Sequence, residues 1–237
     1  PANCGGGQGE IAQRAAGARP GQVVVAEIVQ QPQERQPPVG RIVEILGKSG
    51  APGMATEIAI RNFDLPYEWP DGVEAEAEAF GKAVPEEMKS SRRELRELPL
   101  VTIDGADARD FDDAVYAQRR KNGWRLVVAI ADVASYVKPG SPLDQEAVNR
   151  ATSVYFPGRV IPMLPEALSN GLCSLKPDED RLSLVCDLSI NEAGKVVRSR
   201  FDAAVIRSHA RLTYDEVWEW IVRGQDEIRP GMADVSA

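Results

Sequence analysis

Five aspartates, Asp104, Asp107, Asp110, Asp112 and Asp113, stand within ten positions in the stretch "TIDGADARDFDD". The flanking sequence places these aspartates at strand ends and in the loop between them. "LPLVTID" reads as a strand whose last residue is Asp104, while "DDAVYAQRR" and "WRLVVAIADV" flank the dipeptide Asn122-Gly123, a strong hairpin signal. With Asn122 and Gly123 as the turn, Lys121 faces Trp124 and, pair by pair outward, Asp113 faces Asp132.

Carboxylates this close raise one another's pKa and destabilise the fold unless a positive charge sits among them. A divalent cation answers that need. The donors are all oxygen, His209 is the one histidine, and Cys4, Cys173 and Cys186 show no zinc spacing, so magnesium or manganese fits better than zinc or copper. A calcium loop of the EF-hand type is excluded: starting it at Asp104, Asp107 or Asp110 puts Arg109, Asp112 or Val115 where the sharp-turn glycine belongs. Magnesium commonly takes one or two carboxylates and completes its shell with water and substrate phosphate. A larger acidic cluster suits two ions, or one ion with a carboxylate that orients water, as in displacement at phosphorus. The residues alone also allow an acidic surface loop. For His209 the expectation is a solvated or hydrogen-bonded structural role, since no second histidine supports it.

A formal charge of −8 and a pI near 4.9 argue against a general affinity for nucleic acid, yet net charge says little about local fields. "KVVRSRFDAAVIRSHAR" gathers Lys195, Arg198, Arg200, Arg207 and Arg211 against one acid, Asp202. Either a basic track beside an acidic centre or a charged solvent face gives this pattern. The sequence shows neither a membrane-spanning apolar run nor a secretory signal, and the odd cysteine count argues against a disulfide framework. A cytoplasmic protein is the expectation, and a start at Pro1 suggests a fragment.

Three segments follow from the patterning. Residues 1–50 carry two β-branched runs, "QVVVAEIV" and "VGRIVEILG", and read as the tail of a small β unit. Residues 51–97 form an acidic, alanine-rich connector expected to hold two short helices separated by Pro85. A new module fills residues 98–237. In it, Ser141 and Pro142 open a helix, and the proline-punctuated "YFPGRVIPMLPEALSNGLCSLKP" is an ordered long loop with one turn after Pro165. A second hairpin surrounds "NEAG", and "TYDEVWEWIVRG" is a helix with a capping box from Thr213 to Glu216 and a stop at Gly224. The fold class is α+β, mainly antiparallel sheet with helices.

The blocks "LPLVTIDGADARDFDDAVYA", "IADVASYV", "TSVYFPGRVIPMLPEALSNGLCSL" and "RSHARLTYDEV" resemble, in order and spacing, the signature blocks of the ribonuclease II and ribonuclease R family. The resemblance runs over about residues 20–224. It implies the first part of an RNB catalytic module, preceded by the last strands of a cold-shock-type OB barrel that guides single strands. The implied activity is processive, magnesium-dependent 3′-to-5′ hydrolysis of single-stranded RNA to nucleoside 5′-monophosphates, by a monomer with no small-molecule cofactor and no membrane partner.

By the same resemblance, Asp104, Asp110 and Asp113 hold metal directly or through water, and Asp112 is the metal-site aspartate whose loss stops chemistry while leaving binding. Asp107 is a bystander. Tyr155 matches the aromatic residue that clamps RNA, and Tyr214 matches one at the floor where the 3′ end arrives. On the residues alone, core packing is the ordinary role for both tyrosines. The family's catalytic module also has an arginine-containing block beyond the part matched here, so these 237 residues alone are expected to be inactive. A non-catalytic RNA-binding or regulatory relative of the same fold is the alternative.

Overall fold

The computed structural model describes residues 17–33 and 37–223. Two compact units result: one runs to Tyr67 and includes the tip Phe156–Gly158, and the other takes Glu68 to Tyr155 and the chain from Arg159 onward.

In the first unit, β1 (Gln22–Gln30) and β2 (Val39–Lys48) pair antiparallel with register slips between Val23 and Val24, Val25 and Ala26, and Ile28 and Gln30. Two strands cannot enclose their own apolar side chains. Ile28, Val29, Val43 and Ile45 accordingly lie exposed. Helix α1 (Met54–Asn62) follows and buries Met54 and Ile60. The sequence reading missed this helix because Gly53, in a left-handed conformation, precedes it in place of a capping side chain. Arg61 joins α1 to β2 through Glu57 and Glu44, and its guanidinium stands over the Tyr67 ring.

The second unit begins with α2 (Val73–Glu78) and α3 (Glu86–Lys89), the two short helices expected on either side of Pro85. Its centre is a seven-stranded sheet of β3 (Arg93–Leu95), β4 (Val101–Asp104), β5 (Asp113–Arg120), β6 (Gly123–Ala131), β9 (Asp180–Asn191), β10 (Val196–Arg207) and β11 (Ala210–Thr213). The spatial order is β11-β4-β5-β6-β9-β10-β3, antiparallel except at the outer pairs β11–β4 and β10–β3. Alternation along the strands turns Ala114, Tyr116, Val127, Ala129 and Val185 into the core. Facing them are α4 (Pro142–Arg150) and the leucines of the proline-punctuated segment, Leu164, Leu168, Leu172 and Leu175. On the opposite face Ile130, Leu184 and Phe201 stay exposed.

Several local expectations hold. Ser141 caps α4 by accepting from the Asp144 amide at 3.3 Å, with Pro142 in its first turn. Thr213 and Glu216 bond reciprocally at the start of α5 (Tyr214–Arg223), Thr213 N to Glu216 Oε2 at 2.8 Å and Glu216 N to Thr213 Oγ1 at 3.2 Å. Cys4 and the expected stop at Gly224 lie outside the described residues.

Other expectations need correction. The first hairpin turns at Lys121 and Asn122, so Arg120 faces Gly123 and Asp113 faces Ile130 rather than Asp132. Gly123 is the cause: it opens β6 with φ 135° and is wedged against β9, where an added Cβ would lie 1.9 Å from the Ile190 carbonyl oxygen. Asp132 leaves the sheet and ion-pairs with Arg92 at 2.7 Å. The proline-rich segment holds more structure than one turn: a small hairpin of β7 (Val154–Phe156) and β8 (Arg159–Ile161) precedes the helical turn Leu168–Leu172. Strand β3 was hidden by its charges, which are used in ion pairs from Arg93 to Asp187 and Asp202.

Candidate active site

The acidic stretch lies where β4 ends and β5 begins. Asp104 is the last residue of β4, Asp113 the first of β5, and Asp110 and Asp112 occupy the loop between them. Backbone and side-chain hydrogen bonds hold this loop at several points. The Ala108 amide bonds the Gly105 carbonyl at 3.2 Å, and the Ala131 amide bonds the Asp112 carbonyl at 2.8 Å. Arg211 Nη2 donates to the carbonyls of Gly105 and Ala106 at 2.7 and 2.6 Å. Farther along, the Ser174 hydroxyl and the Leu175 amide bond the backbone around Phe111. Phe111 is the apolar anchor, buried in the core with the Arg211 guanidinium 5.4 Å from its ring.

The carboxylates feel one another. Burial, then the charge of Asp113, pushes the Asp104 carboxyl above its ordinary range, with Asp110 and Asp112 adding to the effect and Arg211 opposing it. Asp112, although an exposed residue, is also pushed up, first by partial desolvation of its carboxylate and then by Asp110 and Asp113. The oxygen Oδ2 of Asp104 is buried with no hydrogen-bond partner among the described residues. A buried, unpartnered carboxylate oxygen surrounded by like charges is a site that favours a cation.

Both sequence-selected tyrosines are exposed, 61% for Tyr155 and 62% for Tyr214, which removes core packing as their main role. Tyr155 Oη donates to Asp110 Oδ2 at 2.5 Å. That bond, together with partial burial, pushes the phenol up to about 12, so it remains a donor at neutral pH. Tyr214 opens α5 directly after Thr213, which is level with Asp104 in the parallel β11–β4 pair. Asp107 is exposed. His209 is exposed, and its amide bonds the Leu100 carbonyl at 2.8 Å.

A magnesium ion fits this chemistry, with oxygen donors, mutual repulsion and one orphaned buried oxygen. Among the described residues no three histidine, cysteine, aspartate or glutamate side chains come together as a ready-made metal cage. Magnesium does not require one, since water and substrate phosphate normally complete its shell. The sequence reading missed the clamps from Ser174 and Arg211. Arg211 was visible only as part of a basic track, and no local signal ties Ser174 to a loop more than 60 residues earlier.

An RNB domain matches residues 92–235, more than half the chain, and a cold shock domain matches residues 11–70. Ribonuclease R of Acidithiobacillus ferrooxidans is 60% identical over 209 residues, covering 88% of this chain and 47% of the relative. Ribonuclease R of Escherichia coli is 56% identical over 214 residues, covering 90% of this chain and 26% of the relative. The chain thus spans about half or less of the length of these relatives. Among solved structures, Mycoplasma genitalium RNase R in complex with double-stranded RNA matches with a TM-score of 0.84 and 31% identity over 91% of this chain and 39% of that one. The same enzyme with ribose methylated single-stranded RNA matches at 0.81 and 32% over 88% of this chain and 32% of that one. The chain belongs to the ribonuclease II and ribonuclease R family.

Proposed function

We propose that this chain is the metal-holding part of a processive 3′-to-5′ exoribonuclease that hydrolyses single-stranded RNA to nucleoside 5′-monophosphates. The observation that carries the reading is electrostatic: Asp104 has a buried, unpartnered oxygen, and burial first, then the charge of Asp113, pushes its carboxyl upward, with Asp110 and Asp112 adding to the effect against Arg211. Asp104, Asp110 and Asp113 hold magnesium directly or through water, and Asp112 also belongs to the metal site. Bound there, magnesium would offset phosphate charge and lower the pKa of a water nucleophile. Tyr155 steadies Asp110 through its hydroxyl and offers an exposed ring to a base, while Tyr214 offers a second exposed ring beside the strand that ends at Asp104. Stacking of this kind contributes about 1–3 kcal/mol per base and does not depend on sequence. The RNA-bound structures of the M. genitalium relative support RNA as the ligand.

The test uses labelled single-stranded RNA, magnesium and a full-length enzyme that contains this segment. Asp112→Asn is expected to abolish monophosphate release with RNA binding largely kept. Undiminished release contradicts the assignment, and absence of release already in the unsubstituted enzyme points to a non-catalytic RNA-binding relative.

A further inference from the structure

Asp110 has no regular secondary structure on either side, yet its two flanking peptides are fixed by one side chain. Ser174 Oγ accepts from the Phe111 amide at 3.1 Å and donates to the Arg109 carbonyl at 2.8 Å. The next residue completes the grip, with the Leu175 amide donating to the Phe111 carbonyl at 2.8 Å. Both polar groups of Phe111 are therefore held by the pair Ser174–Leu175, and the backbone leading into Asp110 and out to Asp112 is held with them. Ser174 is itself fully buried, and Arg181 Nε donates to its carbonyl at 2.7 Å. A hydroxyl can donate and accept at once, which an alanine methyl cannot do.

We propose that Ser174 is a positioning residue for the acidic site: its hydroxyl sets the backbone from which Asp110 and Asp112 project. This rests on the metal-holding reading above. Groups that orient metal ligands typically change metal affinity by about 10–100-fold when removed. Loss of the hydroxyl leaves the four aspartates in the sequence and removes both contacts that fix the peptides flanking Asp110.

The test is Mn²⁺ titration of the 237-residue chain, followed by electron paramagnetic resonance, with residue-resolved hydrogen exchange alongside. Ser174→Ala is expected to keep exchange protection at Val127 and Val185, lose it at Phe111, and bind Mn²⁺ about 10–100-fold more weakly. Ser174→Thr, which retains the hydroxyl, is expected to restore both readouts. A folded Ser174→Ala chain with Mn²⁺ affinity within about two-fold of the unsubstituted chain overturns the proposal. If Ser174→Ala does not fold, Ser174→Thr decides: unchanged affinity with a protected Phe111 amide supports the proposal, and lost affinity despite that protection overturns it. If the unsubstituted chain binds no Mn²⁺, the metal-holding reading fails and the clamp is judged by exchange alone. Loss of protection confined to residues 109–113 in Ser174→Ala then supports it, and unchanged protection there overturns it.

Discussion

At the scale of single residues, the acidic site trades stability for charge. Asp104 and Asp112 have folded-state pKa values raised above the ordinary carboxylate value of 3.8, so the folded chain holds more protons than the unfolded chain just above that pH. Stability contributed by these groups is present below about pH 3.8 and is lost as pH rises through their raised values. Asp104→Asn removes one member of the repelling set and is expected to raise the metal-free melting temperature near neutral pH by a few degrees, at about 2–4 °C per kcal/mol for a chain of this size. A lower melting temperature in differential scanning calorimetry would count against net repulsion. At Tyr155, replacement by Phe keeps the ring and removes the bond to Asp110, while replacement by Ala removes both. In a full-length enzyme, Tyr155→Phe is expected to retain most RNA affinity and Tyr155→Ala to lose about 1–3 kcal/mol, read by fluorescence anisotropy. The aspartates were legible because like charge crowded in sequence has few physical explanations. The Tyr155–Asp110 bond was not legible, because its partners are 45 residues apart and joined only by folding.

At the scale of elements, local chemistry predicted what local chemistry determines. Ser141, Pro142 and the Thr213–Glu216 box carry their own capping bonds, so α4 and α5 could be placed from a few residues. Thr213→Ala is expected to cost about 1 kcal/mol, measurable by urea denaturation. The hairpin register failed for a non-local reason. Asn122-Gly123 has the composition of a two-residue turn, but the approach of β9 reserves position 123 for glycine as the first strand residue. Gly123→Ala combines a positive φ with a collision against the Ile190 carbonyl and is expected to cost about 2–5 kcal/mol. A loss below about 1 kcal/mol in the same denaturation experiment would show that β9 can withdraw from the turn. Likewise β3 and the small hairpin β7–β8 are short and proline- or charge-marked, features that outweigh strand propensity when residues are read alone.

At the scale of the whole molecule, the sheet that positions the acidic loop is secured on its far side by ion pairs. Asp180 meets Lys89, Arg96 and Arg207 at 3.0, 3.2 and 2.7 Å. Burial alone would raise its pKa, but Lys89 and Arg207 prevail and hold it low, while Arg125, followed by Arg93, holds Asp187 low despite its burial. The sign is opposite to that at the acidic site: these depressed values stabilise the fold above about pH 3.8, and that contribution is lost as pH falls through them. Asp180→Asn is therefore expected to destabilise at neutral pH by about 1.5–3 kcal/mol and to flatten the acid limb of the stability profile. The architecture was readable from the order of strand, turn and helix signals, whereas the pairing of distant strands β6 with β9 and of β4 with β11 depended on contacts that no local pattern encodes. The most direct test of the central claim is the melting temperature of the 237-residue chain with and without millimolar magnesium, compared with Asp104→Asn/Asp112→Asn. Magnesium is predicted to raise it in the unsubstituted chain, by mass action on the folded state, and to leave the double variant unchanged. Equal shifts in both, or none in either, would contradict a cation site built from these carboxylates.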